Sequence, residues 1–280
     1  MTQILNGNLV SKERMETLKQ RVGRLGGRPP ALHVIRVGDD VASEIYVKKK
    51  IEKCQFVGIQ SKEWPLQAST SQQELLDLVE RLNQDDSVDG VLIQLPLPDH
   101  VGAGQVLEAL KPAKDVDGFH PYNLGKLLAR EVGLVPCTPL GIMSLLEHYD
   151  IEVAGKKVVV IGRSRIVGRP LSLLFDQAGG TVTVVHQLTK DPAEVCKQAD
   201  ILVAACGRPE LIGPERVKEG AVVIDVGIHR LPSGKLCGDV QFEKVKDHCS
   251  WITPVPGGVG PMTICSLLEN TVQAYQTKRL

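Results

Sequence analysis

Short apolar runs separated by amphipathic stretches of helical length recur along the chain: Ala31 to Val37, Gly58 to Leu66, Gly90 to Leu95, Lys157 to Ile161, Thr181 to His186, Ile201 to Cys206 and Ala221 to Val226. No other feature constrains the fold as tightly, because strands that alternate with helices form βαβ units and so build mostly parallel sheets. The first three runs precede residue 100 and the rest follow residue 155. Between them lies a stretch punctuated by Pro112, Pro121, Pro136 and Pro139, from Lys111 to Gly141, which reads as a domain boundary. The expected fold class is α/β with two domains, over residues 1–137 and 138–261. Thr138 as N-cap with Pro139 in the first turn predicts a helix from Leu140 to His148. A second helix, Met262 to Lys278, follows Gly260 and Pro261, has no further strand to feed, and is expected to pack back on the first domain as residues 262–280.

Composition narrows the function classes. At 280 residues and 30.4 kDa, with 42% apolar and 24% charged residues, this is an ordinary folded protein large enough for two cores. Lys plus Arg and Asp plus Glu both count 33, so no net field draws a polyanion or an anionic bilayer, and neither nucleic acid nor membrane is an expected partner. Met1 to Lys12 is largely polar, and no stretch approaches the roughly 20 apolar residues needed to span a bilayer. The 7 cysteines are spread singly without a CxxC pair, which fits neither a disulfide framework nor a zinc site and points to a reducing, cytoplasmic setting.

After the Lys157 to Ile161 run comes Gly162-Arg163-Ser164-Arg165-Ile166-Val167-Gly168-Arg169-Pro170, then a helical stretch from Leu171 to Ala178. A strand, a glycine turn and a helix N-terminus make an anion site, since free backbone N–H groups and the helix dipole face a phosphate. The GxGxxG fingerprint is not matched: Ser164 holds the second glycine position and Gly168 comes one residue late. Further strand-helix steps end in Cys206-Gly207 and Asp225-Val226-Gly227, at the strand C-termini where doubly wound sheets bind ligands. The second domain therefore reads as a Rossmann-like nucleotide-binding domain.

In the first domain, Tyr46 and Lys50 are four apart and share one helical face, with Val47, Ile51 and Cys54 on another. Lysines on a helix usually form a solvated face. Gln94 interrupts an otherwise apolar strand near its C-terminal end, and Asp115-Val116-Asp117-Gly118 has the form of an Asx turn. The spacing departs from a calcium loop, so no metal is expected. Pro254-Val255-Pro256-Gly257-Gly258-Val259-Gly260-Pro261 suits either close backbone approach to a ligand or a rigid turn.

Taken in order, Ala42-Ser-Glu-Ile-Tyr46 with Lys50, Val91-Leu-Ile-Gln94-Leu-Pro96-Leu-Pro98, Asp115-Val-Asp117-Gly118, Pro136-Cys-Thr-Pro139, Gly162 to Pro170 and Pro256-Gly-Gly-Val-Gly-Pro-Met-Thr263 resemble the signature blocks of the bifunctional methylenetetrahydrofolate dehydrogenase/methenyltetrahydrofolate cyclohydrolase family. The likeness spans nearly the whole chain. It implies a homodimer whose N-terminal α/β domain is catalytic, with folate in a cleft between it and a Rossmann-like domain carrying NADP. It implies Lys50 as the catalytic lysine, Tyr46 as the ring stacking on the pterin, Gln94 as the lysine's partner and Asp117 as the pterin-binding carboxylate. Gly162, Arg163, Ser164, Arg165 and Ile228 take the cofactor, and Pro256, Gly257 and Gly258 join Tyr46, Gln94 and Asp117 on the substrate. Two segments depart from the family pattern: His186-Gln187-Leu188 stands where a hydroxyl and a base are usual, and His229 where Asn is usual.

The implied chemistry fits these residues. In methylenetetrahydrofolate a nitrogen lone pair expels hydride without any proton being removed, so dehydrogenation needs mainly positioning. Hydrolysis of the resulting cation needs a general acid/base, and Lys50 qualifies if burial beside Lys49 and Lys53 lowers its pKa. For NADP over NAD, the second strand of the nucleotide domain lacks the acidic residue that holds a free ribose hydroxyl, the first acid beyond being Asp191, while Arg163 and Arg165 can pair with an extra phosphate. The competing readings are a nucleotide-responsive binding module without turnover and a hydroxy-acid or shikimate-type dehydrogenase of similar plan.

Overall fold

A computed structural model describes residues 2–278. The first half runs β1 (Gln3–Ile4), α1 (Gly7–Gly23), β2 (Ala31–Val37), α2 (Val41–Val57), β3 (Gln60–Leu66), α3 (Gln72–Gln84), β4 (Gly90–Ile93), α4 (Ala103–Ala109), α5 (Pro121–Leu128) and α6 (Cys137–His148). The second runs β5 (Lys157–Ile161), α7 (Gly168–Gln177), β6 (Thr181–Val185), α8 (Pro192–Cys196), β7 (Ile201–Ala204), β8 (Val222–Asp225), β9 (His229–Arg230), β10 (Leu236–Cys237), α9 (Phe242–Val245), β11 (Trp251–Ile252) and α10 (Val259–Thr277). The chain divides into two compact units. Glu13–Cys137 groups with the segment from Ile264 onward, and the residues up to Lys12 group with Thr138–Thr263.

In the unit built on Glu13–Cys137, β2 lies between β3 and β4 in a parallel sheet. β2 is apolar at nearly every position because both its faces are covered. Leu32 and Val34 meet Val47, Cys54 and Val57 of α2 and Ile264, Leu268 and Val272 of α10, while Ile35 and Val37 meet Leu75, Leu78 and Val79 of α3 on the other face. Helix α2 starts where Asp40 accepts the Ser43 N–H at 2.7 Å, and it stops at Gly58, whose φ of 85° is the left-handed conformation that glycine tolerates best.

The other unit carries a parallel sheet ordered β1-β11-β8-β7-β5-β6. Val158 and Val160 face Ile142, Leu145 and Leu171, and Val159 and Ile161 face the opposite core with Leu202 and Val223. Neighbouring residues of one strand thus feed two helix-covered layers, the doubly wound arrangement. β9 and β10 form a short antiparallel hairpin.

Three expectations need correction. The first twelve residues do not belong with the 1–137 domain, because β1 adds to the edge of the other sheet, with Gln3 opposite Trp251. Helix α6 begins at Cys137, so Thr138 is not its N-cap; its hydroxyl instead lies 3.0 Å from that of Thr263. Helix α10 begins at Val259 and takes in Gly260 and Pro261, a proline in the first turn needing no N–H partner. Among the described residues no helix is long and apolar enough to cross a membrane, and none of the cysteines is in a disulfide.

Candidate active site

The buried stripe of α2 is Ser43, Val47, Lys50, Cys54 and Val57, which share a face at helical spacing. Lys50 therefore stands on the same face as Val47 and Cys54, not on a separate one as the sequence spacing suggested, and it is only 6% exposed. The solvated lysine face does exist, but it is made by Lys48, Lys49 and Lys53. A buried ammonium needs partners. Its Nζ donates to Gln94 Oε1 at 3.0 Å and lies 4.9 Å from the centre of the Tyr46 ring. Gln94 is fixed in turn: its backbone N–H continues the β4 ladder onto Ile35 O at 2.8 Å, and its Nε2 donates to Leu95 O at 2.7 Å. The amide oxygen is thereby turned toward the lysine.

Burial lowers the Lys50 pKa, opposed by the negative charge of Asp117 and by Cys137 and Cys54. Lys49 and Lys53 are not the cause. Burial likewise pushes Asp117 up to about 6, against the pull of Lys50 and a hydrogen bond from Cys137. Both groups are thus driven toward neutrality while each holds the other partly charged. Tyr46 is raised to about 12, first by burial and then by Asp117, so it acts as a ring and a hydroxyl, not as a proton source at neutral pH. The structure brings Lys50, Tyr46, Gln94 and Asp117 together in one unit.

Gly162, Arg163, Ser164, Arg165 and Ile228 belong to the other unit. Gly162 has φ 119°, and a Cβ there would sit 2.1 Å from Ala205 O. Gly168 is as tight, its Cβ position 2.1 Å from Gly162 O, which accounts for the late glycine: it lets α7 start against the turn. Ser164 Oγ accepts the Val167 N–H at 3.2 Å. Arg163 and Ser164 are exposed, and Ile228 is 60% exposed. Glycines without room for a Cβ at a helix N-terminus, at the C-terminal end of a strand in a doubly wound sheet, fit a dinucleotide. Pro256, Gly257 and Gly258 also belong to this unit; the Gly258 carbonyl lies where a Cβ on Gly7 would stand, so this turn is packed against the start of α1.

Sequence reasoning missed two carboxylates at this edge. Asp239 is fully buried and accepts the N–H groups of Cys206, Gly207 and Arg208 at 2.7, 3.0 and 2.9 Å, with His229 Nε2 at 2.7 Å. Asp225, pushed up to about 6 by burial, accepts from Gly227, Asp239 and Val240. Together they fix the turns after β7 and β8. Nothing in the spacing from Asp225 to Asp239 marks a pair; the glycines beside both were the signal available. The departure at His229 thus has a local role in holding Asp239. An open cavity of about 630 Å³ lies elsewhere, at the N-terminal ends of β5, β7, β8 and β11, lined by Lys156, Ile201, Val222 and Trp251. That edge is opposite to the one at which parallel sheets bind nucleotides.

Fold and site define a two-unit α/β enzyme with a buried lysine facing a half-buried carboxylate in one unit and a nucleotide edge in the other. Residues 5–117 match the family model of the tetrahydrofolate dehydrogenase/cyclohydrolase catalytic domain, and residues 136–279 match that family's NAD(P)-binding domain. The chain is 52% identical over 278 residues to the bifunctional protein FolD of Campylobacter concisus, covering 99% of this chain and 98% of that one. Among solved structures, it resembles the FolD methylenetetrahydrofolate dehydrogenase/cyclohydrolase of Campylobacter jejuni, with a TM-score of 0.97 and 48% identity over 99% of this chain and 100% of the other. It also resembles the Trypanosoma brucei FolD enzyme complexed with NADP and an inhibitor, with a TM-score of 0.94 and 38% identity over 99% and 98%. The chain belongs to the tetrahydrofolate dehydrogenase/cyclohydrolase family. It is a bifunctional enzyme of folate one-carbon metabolism.

Proposed function

We propose that this enzyme oxidises 5,10-methylenetetrahydrofolate to the methenyl form with NADP and then hydrolyses it to 10-formyltetrahydrofolate. The observation that carries the reading is the buried Lys50 held by Gln94 and facing Asp117. Bound NADP supplies the hydride acceptor. For that step the protein has only to orient the folate: Asp117 pairs with the amino-pyrimidine edge and Tyr46 stacks on the ring. In the hydrolytic step Lys50, with its proton affinity lowered by burial, takes the proton from the attacking water and returns it to the leaving nitrogen. Gln94 keeps the amine aimed and hydrogen-bonded in either protonation state. Gly162, Arg163, Ser164, Arg165 and Ile228 hold the dinucleotide, and Pro256 to Gly258 complete the folate contacts.

The unit of Glu13–Cys137 with the segment from Ile264 supplies the catalytic groups, and Thr138–Thr263 carries the nucleotide site. The enzyme acts in the cytoplasm as a homodimer. Following NADPH formation and methenyl absorbance together, with Asp117→Asn alongside, tests the reading. Two sequential products in the wild type and much slower formation of both, with a raised KM for the folate, in the variant are expected; an unchanged Asp117→Asn enzyme refutes the site. Light scattering of the purified protein at one protomer's mass refutes the dimer.

A further inference from the structure

Asp117 lies on a short connecting segment, yet its carboxylate must be aimed to work. One end of that segment is tied down by its neighbour Asp115, which bridges to Val91 and accepts from His120 N–H at 2.8 Å and Asn123 Nδ2 at 2.9 Å. The other end has no such side chain of its own. Gly118, at φ 73°, is so close to the following stretch that a Cβ would fall 2.6 Å from Pro136 N. Residues 116–118 and 135–137 thus run against each other, and the Cys137 thiol points at Val116 O from 3.2 Å.

Into this junction α10 inserts Asn270, which is 1% exposed. Its Nδ2 donates one hydrogen to Val116 O and the other to Val135 O, both at 2.8 Å, and lies 3.6 Å from Cys137 Sγ. An amide nitrogen has two hydrogens, so both are spent on clamping the backbone next to Asp117 to the backbone two residues before Cys137. A helix core position filled by leucine would bury more apolar surface; the amide is justified only by the two carbonyls it satisfies.

Resting on the proposed role of Asp117, we infer that Asn270 is a positioning residue that sets where the Asp117 carboxylate points, and so controls folate binding and both activities from a helix outside the signature blocks around Lys50. Asn270→Leu keeps the branching and number of heavy atoms, though it is bulkier, and removes both donors; Asn270→Ser is a smaller polar alternative should the leucine variant fold poorly. Losing two hydrogen bonds of ordinary net strength corresponds to roughly a tenfold effect or more. The expected result is therefore about a tenfold rise in KM for methylenetetrahydrofolate, with KM for NADP unchanged and the far-ultraviolet circular dichroism intact. The decisive measurement is a double-mutant cycle with Asp117→Asn. If Asn270 works through Asp117, Asn270→Leu costs little further in the Asp117→Asn background. Equal, additive losses in both backgrounds overturn the inference while leaving the Asp117 assignment standing. A fully active Asp117→Asn enzyme instead overturns that assignment, and the inference with it.

Discussion

Replacing Lys50 by methionine removes the amine while keeping an unbranched side chain only one atom shorter. General acid/base catalysis contributes typically 10²–10⁴-fold, or about 3–5 kcal/mol of barrier, and methenyl hydrolysis is expected to fall by that factor. The fold should survive. Gln94 Oε1 loses its donor at 3.0 Å, a cost of roughly 1–3 kcal/mol, but the penalty for holding an ammonium among Val47, Cys54 and Val57 disappears as well. The two terms oppose, so Tm should move by about 2–4 °C for each kcal/mol left uncancelled, which thermal denaturation checks. A third consequence is electrostatic. Lys50 is what pulls the Asp117 pKa down toward about 6; without it the value rises. If the ionised carboxylate binds the folate, as proposed, the remaining dehydrogenase activity is lost as pH falls through that pKa, and the acid limb of kcat/KM should shift to higher pH. Stopped-flow decay of methenyl absorbance and a pH series of NADPH formation measure both effects. Wild-type hydrolysis by the variant would show that Lys50 is not the base, and an acid limb that does not move would show that it is not coupled to Asp117.

Gly162→Ala drives a Cβ to within 2.1 Å of Ala205 O at a φ of 119°, so the turn must open; NADP affinity measured by fluorescence titration should fall at least about tenfold while folate binding persists. Asp40→Ala removes the cap on the Ser43 N–H and should lower Tm by a few degrees at neutral pH. The Asp40 pKa is depressed first by the Ser43 side chain and then by the Ser43 N–H, so the difference should shrink as pH falls through it, and melting curves at two pH values test the sign. Wild-type enzyme should show higher kcat/KM with NADP than with NAD, and Arg163→Ala should narrow the gap by removing a guanidinium for the extra phosphate; equal turnover with NAD in the wild type refutes this.

The parallel sheets were legible because β2, β5, β7 and β8 are largely buried on both faces and so read as predominantly apolar runs. β1 and β11 were not, since each is two residues long and acquires its pairing only from the sheet it joins. Motif positions located the groups of the site, but not their state. Spacing puts Tyr46 and Lys50 on adjacent turns of α2; only packing shows that Lys50 lies in the apolar stripe, and that burial, not a neighbouring lysine, governs its charge. Asp239 and Asn270 were invisible for the same reason. Their partners are main-chain groups of distant segments, and a sequence records no trace of which carbonyls and N–H groups are left over.

The electrostatics of the two steps explain why the lysine is buried under the proposed assignment. Hydride loss turns a neutral folate into a cation. A fully charged ammonium beside the developing charge would oppose that step, by about 4 kcal/mol at 4 Å with an effective dielectric constant of 20. A lysine whose pKa burial has lowered spends more of its time neutral, and the opposition shrinks by the same change that makes the amine a base for the next step. Asp117 acts in the opposite sense, since its ionised form stabilises the cation. The pair therefore has to stay close to the point where Lys50 gives up its proton while Asp117 keeps its charge. Gln94 suits that balance: its amide oxygen accepts a hydrogen from either form of the amine and adds no charge, whereas a carboxylate there would hold Lys50 protonated and slow both reactions.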